Sequence, residues 1–469
     1  MGEKPKLELR FGLYGALIIL VVALALVIFS AANQAKIDGY VIAFLVALIV
    51  GVFLAKNQEQ YGQALIEGLS RPMFSVIALA VLLAAISGQL ISQSGMIQSI
   101  AHAAIAVGMT GKLFIAVTFV LTCLISFSTG TSVGTYFVVI PILFPSGVLS
   151  GANPAFLIGA IGAGCAVGDN LAPISDTTIA SSTSQEMDIG GVVSSRSRYS
   201  IPVAIIALIF YLIFGKNTAI VGSTEALHIS IKPLLILVVP IVTIVLCLMR
   251  KHLITALSAG IVAGVIVGLI FGIFTPKMLL HFPAAFNIEG LFYAGITGAL
   301  PTIAFLMVIF PFIGVMEASG ALAVLGNSLS RFAKGPKSVE TITVASVGLL
   351  SMITGVISVA IISVGDIVMN LGKKHGVDGY RRANLLDCAG VIFCFLAPWT
   401  VHAIVPSMLA TANAPKELAL HITPVTVPLH NFYSWVMLVM LIFALITGYG
   451  RTWAQGKAVK SLQKVKEEV

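Results

Sequence analysis

Long, almost uninterrupted apolar runs dominate the hydrophobic pattern of this chain. Residues 11–32, 39–55 and 254–274 are three such runs, and each has the length of about 20 residues with which a helix crosses the hydrocarbon core of a bilayer. The apolar pattern continues beyond the first run, whereas a cleaved signal peptide precedes a hydrophilic mature chain. The pattern therefore predicts an all-α polytopic membrane protein whose first helix is retained.

Composition narrows the class of protein further. Charged residues make up 10% of the 469 residues and hydrophobic residues 58%, against roughly 25% charged residues in a soluble domain. The net charge of +8 lies mostly in connections and tails, where it indicates orientation and attraction to anionic lipid, and nucleic acid is not expected as a partner. The sequence has no Walker-type loop, so a cation gradient is the expected energy source and no cofactor is predicted.

The sequence repeats itself at a separation of 225 residues. Three motifs return without a change of register, and they are Ser94-Gly95 as Ser319-Gly320, Thr129-Gly130 as Thr354-Gly355, and Leu171-Ala172-Pro173 as Leu396-Ala397-Pro398. The apolar segments recur with them. We therefore predict a tandem duplication, with a first repeat at residues 1–225, a second at 226–450 and a basic cytoplasmic tail at 451–469.

Basic residues predict that the two repeats are inverted. By the positive-inside rule, the chain start, the connection between repeats and the tail are cytoplasmic. These segments carry Lys4, Lys6, Arg10, Arg250, Lys251, Arg451, Lys457, Lys460, Lys464 and Lys466. The opening segment of the first repeat then starts inside while its equivalent ends inside, which requires an odd number of passes, about seven per repeat.

Three further basic groups bear on this orientation. Arg196 and Arg198, and the cluster Lys373, Lys374, Arg381 and Arg382, are placed on the cytoplasmic side. Of these, Arg196, Arg198, Lys373 and Lys374 are interpreted as solvated charges. Arg331, Lys334 and Lys337 fall on the predicted outer side instead. Re-entrant segments at 96–109 and 321–333 would remove this disagreement. We therefore expect re-entrant hairpins besides the spanning helices.

Polar residues interrupt two apolar runs of the first repeat. The run 112–143 contains STGTSVGT at 128–135, and the run 157–182 contains GDNLAPISDTT at 168–178. Gly and Pro free backbone groups that lipid cannot satisfy, so such breaks are buried in protein or line a wet cavity. Freed carbonyls and hydroxyls suit sodium, and half-helix N-termini suit a carboxylate. A packing kink is the alternative for a lone Thr-Gly pair, but its recurrence favours a binding site made by Thr129, Gly130, Thr131, Ser132, Thr354 and Gly355.

Two carboxylates, Asp169 and Asp176, lie in the second break. Each costs about 2.5 to 3.5 kcal/mol at membrane depth, so a bound cation, a proton or an Arg partner must compensate. We predict sodium or proton binding by Asp169, Asp176 and Thr129. The alternative is a helix N-cap at Ser175 or Asp176. The neighbouring candidates for the ion or substrate site are Asn170, Ser175, Thr177 and Thr178.

The second repeat carries different chemistry at the equivalent break. Thr400 matches Ser175, while Val401 replaces Asp176 and His402 replaces Thr177. His402 is a candidate for binding a substrate carboxylate or carrying a proton, against the alternative of a satisfied core histidine. Asp366 is a further candidate, against that of a capped helix end facing water, and the role of Asp387 stays open.

The motifs GDNLAPISDTTIASS and TGTSVGT resemble those of the NhaC-type sodium/proton antiporter family, within the broader ion-transporter superfamily. The resemblance implies that Asp169, Ser175, Asp176, Thr177 and Thr178 are ion-site residues, together with Thr129, Thr131 and Ser132. Families similar to this one include plain sodium/proton exchangers, a malate/lactate exchanger and amino-acid carriers. Val133 stands where an aromatic residue is usual and Ala172 where a serine is usual, and a smaller residue leaves room for an organic substrate.

The expected function is a secondary active transporter of the cell inner membrane, with both termini cytoplasmic. It couples sodium or proton movement to transport of a small carboxylate or amino acid. A sodium/proton antiporter without an organic substrate is the first alternative, and a passive channel is the alternative from another class. No nucleophile and base pair stands at recognisable spacing, so an enzyme is not predicted. The expected partners are a small-molecule substrate and the lipid bilayer, and a homodimer is left open.

Overall fold

The apolar runs fold into helices that end at polar residues or glycines. The computed structural model describes residues 7–33, 35–219, 232–249, 251–321, 331–415, 418 and 420–451. The helices of the first half are α1 (Leu13–Ala32), α2 (Ile37–Leu54), α3 (Gln58–Leu69), α4 (Pro72–Gln93), α5 (Met96–Ala106), α6 (Gly111–Thr129), α7 (Ser132–Leu149), α8 (Pro154–Leu171), α9 (Asp176–Ser184) and α10 (Ile189–Phe214).

The second half contains a similar succession of helices. A 3₁₀ helix at Lys232–Leu237 leads into α11, and a small antiparallel hairpin of β1 (His281–Ala284) and β2 (Asn287–Glu289) precedes α14. The α-helices of this half are α11 (Val238–Leu248), α12 (Leu253–Ile270), α13 (Pro276–Leu279), α14 (Leu291–Ala318), α15 (Pro336–Thr354), α16 (Ile357–Lys374), α17 (Gly379–Leu396), α18 (Val401–Ala412), α19 (Thr426–Leu429) and α20 (Phe432–Thr447).

Helix bounds repeat at the separation seen in the sequence. The pairs α6 and α15, α7 and α16, and α8 and α17 each begin and end 225 residues apart, and α9 and α18 begin at that separation. Packing repeats as well, because α9 lies against α16 while α18 lies against α7. The predicted boundary near residue 225 lies outside the described residues. Inversion of the two repeats stays a prediction.

The predicted membrane-spanning character is confirmed. Within the described ranges, nine helices are long and apolar enough to cross a bilayer, or ten if the bent pair α17 and α18 counts as one span. The count of about seven passes per repeat stays a prediction. The α5 region, predicted to be re-entrant, has a helix of 11 residues, which extends only about 17 Å and is too short to span. Most of 321–333 lies outside the described residues.

The central helices differ in burial from the peripheral ones. Most of α7, α8, α14 and α17 is buried, whereas only about a third of the apolar window of α1, α2 and α12 is buried. Apolar side chains on the outer helices, such as Phe29, Phe53 and Ile270, are exposed. Because lipid tails solvate such side chains, the exposed apolar faces mark the bilayer-facing perimeter. The polar breaks therefore lie in the central layer.

Both Thr-Gly motifs form the tips of helical hairpins. The Gly111 N–H donates to the Ser150 carbonyl at 3.1 Å, so the outer ends of α6 and α7 lie together and the chain returns to the side that it entered from. Gly130 and Gly355 cap α6 and α15 with φ values of 67° and 63°. L-residues with a Cβ avoid this left-handed region, which explains the glycines. The predicted broken helices are confirmed.

Two arginines of the predicted cytoplasmic cluster are buried. Arg381 and Arg382 have side chains packed inside the protein. Arg381 and Arg451 both pair with Glu340, Arg381 Nε at 3.2 Å and Arg451 Nη2 at 2.6 Å. The triad joins α15, α17 and the end of α20. Lys373 and Lys374 are exposed as expected, while Lys4, Lys6, Arg250 and the lysines after Arg451 lie outside the described residues.

We predict that alanine at the two hairpin tips has unequal effects. Gly355→Ala introduces a left-handed alanine whose Cβ meets no atom closer than 3.6 Å, so the free energy of unfolding falls by about 1 kcal/mol. Gly130→Ala adds a clash, because its Cβ would lie 2.5 Å from Ile174 Cγ1, and loses roughly 1–3 kcal/mol more. Thermal unfolding in detergent measures both. Gly298→Ala, with open space around it, is the control, and equal losses at both tips would contradict the prediction.

Candidate functional site

Asp169 lies at the tip of the first hairpin, although it belongs to the last turn of α8. Its Oδ1 accepts a hydrogen bond from the Ser132 N–H at 3.2 Å. Ser132 is the first residue of α7, so the carboxylate sits at a helix N-terminus, where unpaired N–H groups and the helix dipole favour negative charge. Only 3% of the Asp169 surface is exposed. The hairpin tip thus supplies the compensating dipole that this buried carboxylate needs.

Hydroxyl groups of the broken helix close around the backbone of the same residue. Thr177 Oγ1 donates to the Asp169 carbonyl at 3.2 Å, and Thr178 Oγ1 lies 3.4 Å from that oxygen. Ser175 Oγ lies 3.1 Å from Thr177 Oγ1. These bonds satisfy the carbonyl that the break at Leu171 frees from its helix. Both threonines are buried, whereas Asp176, the first residue of α9, is exposed.

His402 reaches the same site from the second half of the chain. Its Nε2 lies 3.1 Å from Ser132 Oγ and 4.0 Å from Asp169 Oδ2. Its Nδ1 lies 3.4 Å from Cys394 Sγ, and its ring packs on Phe395 with centroids 4.4 Å apart. The imidazole is therefore held in place on both sides and faces a carboxylate. The fold places it in the position opposite the first hairpin tip.

A fully buried ion pair lies directly behind the broken helix. Arg196 Nη1 is 2.8 Å from Asp387 Oδ2, and both side chains are completely inaccessible to solvent. The same guanidinium donates to the Asn170 carbonyl at 2.8 Å and to Thr178 Oγ1 at 3.0 Å. Arg196 was interpreted from sequence as a solvated charge, which is wrong. It holds the break of α8 and α9 against α10 and α17.

Residues from both halves of the chain line one cavity of about 980 Å³. The residues around it fall into two groups, one from the hairpin tips and broken helices and the other from α3, α4 and α14. The first group includes Gly130, Thr131, Ser132, Val133, Asp169, Asp176, Thr177, Ser358 and His402, and the second includes Glu67, Arg71, Gly314 and Glu317. Both predicted carboxylates therefore line a single space.

Several residues predicted from the sequence lie elsewhere. Thr129 lines a smaller cavity of about 360 Å³ together with Lys251 and His252, so the three predicted sodium ligands do not share one cavity. Asp366 is exposed on α16 and is absent from the residues that line the large cavity. The remaining predicted residues make hydrogen bonds or packing contacts at the helix breaks and the second hairpin tip. They are Asn170, Ser175, Thr178, Thr354, Gly355 and Thr400.

Sequence reasoning missed the charged residues on the opposite wall. Arg71 and Glu317 form an ion pair that joins α4 to α14, and Glu67 of α3 lies beside the same cavity. Glu67 and Glu317 lie near the ends of α3 and α14, and Arg71 directly precedes α4, and charges are ordinary at such positions. The Ser94-Gly95 and Ser319-Gly320 repeat was the available signal, since it implies that α4 and α14 are equivalent and face each other. Those two helices do pack together.

Comparison with known protein families identifies the family of this chain. The sequence model described as the Na⁺/H⁺ antiporter family matches residues 8–216 and 201–446. The chain belongs to this family. The resemblance read from the two motifs is therefore confirmed. A Na⁺/H⁺ antiporter family member with many apolar helices is a membrane protein that carries out ion transport by antiport, and sodium or protons are the coupling ions that the family implies.

Relatives within the Na⁺/H⁺ antiporter family differ in what they carry. The chain is 23% identical over 463 residues to the malate-2H(+)/Na(+)-lactate antiporter of Bacillus subtilis, covering 93% of this chain and 94% of that protein. It is 22% identical over 392 residues to the Na(+)/H(+) antiporter NhaC of Alkalihalophilus pseudofirmus, covering 77% and 81%. Both are secondary transporters by name. The family therefore supports secondary transport without specifying the substrate.

A solved structure with a weaker likeness is the Alcanivorax borkumensis YdaH transporter, whose crystal structure is described as revealing an unusual topology. It is 16% identical, with a TM-score of 0.40, and the match covers 85% of this chain and 90% of that chain. A TM-score this low does not establish a shared topology.

We predict that Arg196 and Asp387 stabilise the site as a unit. Arg196→Gln or Asp387→Asn alone leaves an unpaired buried charge and lowers the free energy of unfolding by about 3–5 kcal/mol. The double variant leaves no such charge, so its loss is smaller than the sum of the single losses. Denaturant unfolding in detergent measures this coupling. The exposed pair of Lys373 and Glu186 provides the control, because Lys373→Gln leaves stability unchanged, and additive losses for the buried pair would contradict the prediction.

Proposed function

We propose that this chain is a cation-coupled secondary carrier in which sodium or a proton binds at Asp169 and Asp176. The observation that carries the proposal is the convergence of both hairpin tips and both broken helices on one cavity, with Asp169 at its wall. A carboxylate in the hydrocarbon region is costly unless a partner compensates it. Asp169 Oδ1 accepts a hydrogen bond from the Ser132 N–H at 3.2 Å, and Oδ2 lies 4.0 Å from His402 Nε2, so the carboxylate faces the cavity with lone pairs that an ion or a proton can use.

The donor set around Asp169 suits a small hard cation. Oxygen atoms are supplied by the Asp169 and Asp176 carboxylates and by the hydroxyls of Thr131, Ser132 and Thr177, all lining the cavity. Hard cations prefer oxygen ligands over nitrogen or sulfur. Protonation of the carboxylates is the other way to remove their charge. Competition of the two cations for one site is the simplest basis for exchange.

The cavity also supports an organic substrate. Its volume of about 980 Å³ lies at the upper end of the roughly 300–1,000 Å³ of small-molecule pockets, far above the need of one ion. Val133 lines this cavity at the place where an aromatic residue is usual, so the smaller side chain contributes to its room. We propose a small carboxylate or an amino acid as the cargo, in keeping with the name of the malate and lactate relative.

Sodium/proton exchange without an organic substrate is the second candidate. Four carboxylates line the cavity, from Glu67, Asp169, Asp176 and Glu317, and such an acidic surface attracts cations. Proteoliposomes with an imposed sodium gradient distinguish the two functions, because only the second one changes the internal pH when no solute is added. A passive channel, the alternative from another class, would show neither counterflow nor saturation.

The proposed setting is the inner membrane, with inverted repeats and both termini cytoplasmic. In support, the Leu9 to Ala55 bridge and the ion pair of Glu8 and Lys56 place the start of α1 and the end of α2 at one face. The Leu7 N–H donates to the Ala318 carbonyl at 2.9 Å, so the end of α14 lies near the same face. Glu317 at that helix end and its partner Arg71, which follows α3, therefore lie near this face as well. The exchanged packing of α9 on α16 and α18 on α7 is the arrangement that a two-fold relation produces.

We expect Asp176→Asn to abolish coupling, because a neutral amide cannot exchange a proton and attracts a cation less strongly. Sodium-driven transport in proteoliposomes should fall to the level of empty vesicles. Asp38→Asn on α2 is the matched control, since Asp38 is exposed and absent from the cavity lining. Asp366→Asn should also retain transport, because Asp366 lies outside this cavity. Full sodium-driven transport by Asp176→Asn would contradict the role proposed for Asp176.

A further inference from the structure

The cavity has a cationic side chain opposite its acidic residues. Arg71 lines the cavity and pairs with Glu317, and about a fifth of its side chain and more than a third of that of Glu317 are exposed. Apart from His402, Arg71 is the one basic side chain among the described residues that line this cavity. A partly exposed ion pair contributes little to stability, because water and salt screen it. The pair therefore remains available to exchange partners with a ligand.

Neither side chain of the pair stabilises the helix end at which it lies. Arg71 is the N-cap residue of α4 but makes no side-chain cap bond, and Pro72 at the first helical position needs none. Glu317 lies in the last turn of α14, where the helix dipole disfavours a negative charge. The position of Glu317 is thus unfavourable on its own, and Arg71 offsets it. A ligand carboxylate could replace Glu317 as the partner of this guanidinium.

The charges around the cavity fix which ligand Arg71 can hold. Four carboxylates and one guanidinium line the space, so an anion entering the cavity meets net repulsion, and Arg71 is the group that attracts it. Guanidinium groups match carboxylates through two parallel hydrogen bonds. A cation at Asp169 and Asp176 would remove much of the repulsion from the opposite wall. Binding of an anion beside Arg71 therefore becomes favourable once the cation site is filled.

On the basis of the function proposed above, we propose that Arg71 binds the carboxylate of the organic substrate and that Glu317 competes for the same guanidinium when the substrate is absent. The substrate class is then a small carboxylic acid, bound after the coupling cation. Glu317 is a specificity residue in this scheme, because it excludes anions too weak to displace it. The two residues of one ion pair consequently have opposite effects on ligand affinity.

This opposition provides the test. The full-length protein in nanodiscs is titrated with labelled L-lactate, L-malate and L-glutamate in sodium chloride, with L-lactamide as the uncharged match. Arg71→Gln should raise the Kd of the best-bound carboxylate about tenfold or more, the effect of one lost charge-assisted interaction. Arg71→Lys should lie between, because it keeps the charge and loses the fork. Glu317→Gln should lower the Kd.

The control is a second ion pair of the same type outside the cavity. Lys56 and Glu8 pair at 3.2 Å, and neither lines the cavity, so Lys56→Gln should leave every Kd unchanged. Three results would overturn the proposal: an unchanged Kd in Arg71→Gln, weaker binding in both Arg71→Gln and Glu317→Gln, or no carboxylate that binds the wild type better than lactamide. If Arg71→Gln does not fold, Arg71→Lys and Glu317→Gln still give the opposing shifts.

Failure of the proposed function has a separate signature. Wild-type protein that gains no thermal stability from sodium chloride over choline chloride, and whose stability has the same pH dependence as that of Asp176→Asn, would contradict both sodium and proton binding at Asp169 and Asp176. Sodium-dependent stability with Kd values indifferent to Arg71 would leave the cation site standing and reject only the carboxylate site. The two measurements therefore separate the proposals.

Discussion

A carboxylate kept inside an apolar helix bundle is the constraint on which this structure depends. Asp169 is almost completely buried in α8, and lipid offers no hydrogen bonds to compensate it. The hairpin of α6 and α7 meets the need by placing the N-terminus of α7 against the carboxylate. That placement requires a helix to begin in the middle of the protein, which in turn requires the tight turn at Gly130. The burial of α7 and α8 follows from the same need, because freed backbone groups cannot face lipid.

The two halves of the chain share the backbone geometry of the hairpin and the broken helix, but they differ in the side chains at these positions. The second hairpin repeats the left-handed glycine at Gly355, and a break between α17 and α18 repeats the one between α8 and α9. The two carboxylates of the break, Asp169 and Asp176, however, belong to the first half. Cys394 and Val401 occupy the equivalent positions of the second half, where His402 replaces Thr177. Because His402 approaches Asp169 to 4.0 Å, the halves meet as unlike partners at one site.

The sequence predicted those features that depend on the residue types at one place in the chain, such as the helix breaks. Gly130 and the Pro173 region mark the breaks, since Gly and Pro change the backbone wherever they stand, and the repeated motifs predicted that the two breaks are related. The sequence did not predict which charges meet. Arg196 looks like any positive residue near a helix start, and its buried partner Asp387 belongs to the other half of the chain. Arg71 and Glu317 lie 246 residues apart. Such pairs depend on how α4, α14, α10 and α17 pack, which no local pattern records.

The two walls of the large cavity come from different sets of helices, and this separation bears on how two solutes can be coupled. Asp169 and His402 are fixed to the hairpins and broken helices, whereas Arg71 and Glu317 are fixed to α4 and α14. In the proposed function, a cation on the first wall changes the potential felt by an anion on the second across a shared space. Coupling then needs no contact between the two binding residues. Carboxylates outnumber arginine in the cavity lining, which disfavours anions, so in this proposal the charges that attract the cation also set the order in which the two solutes bind.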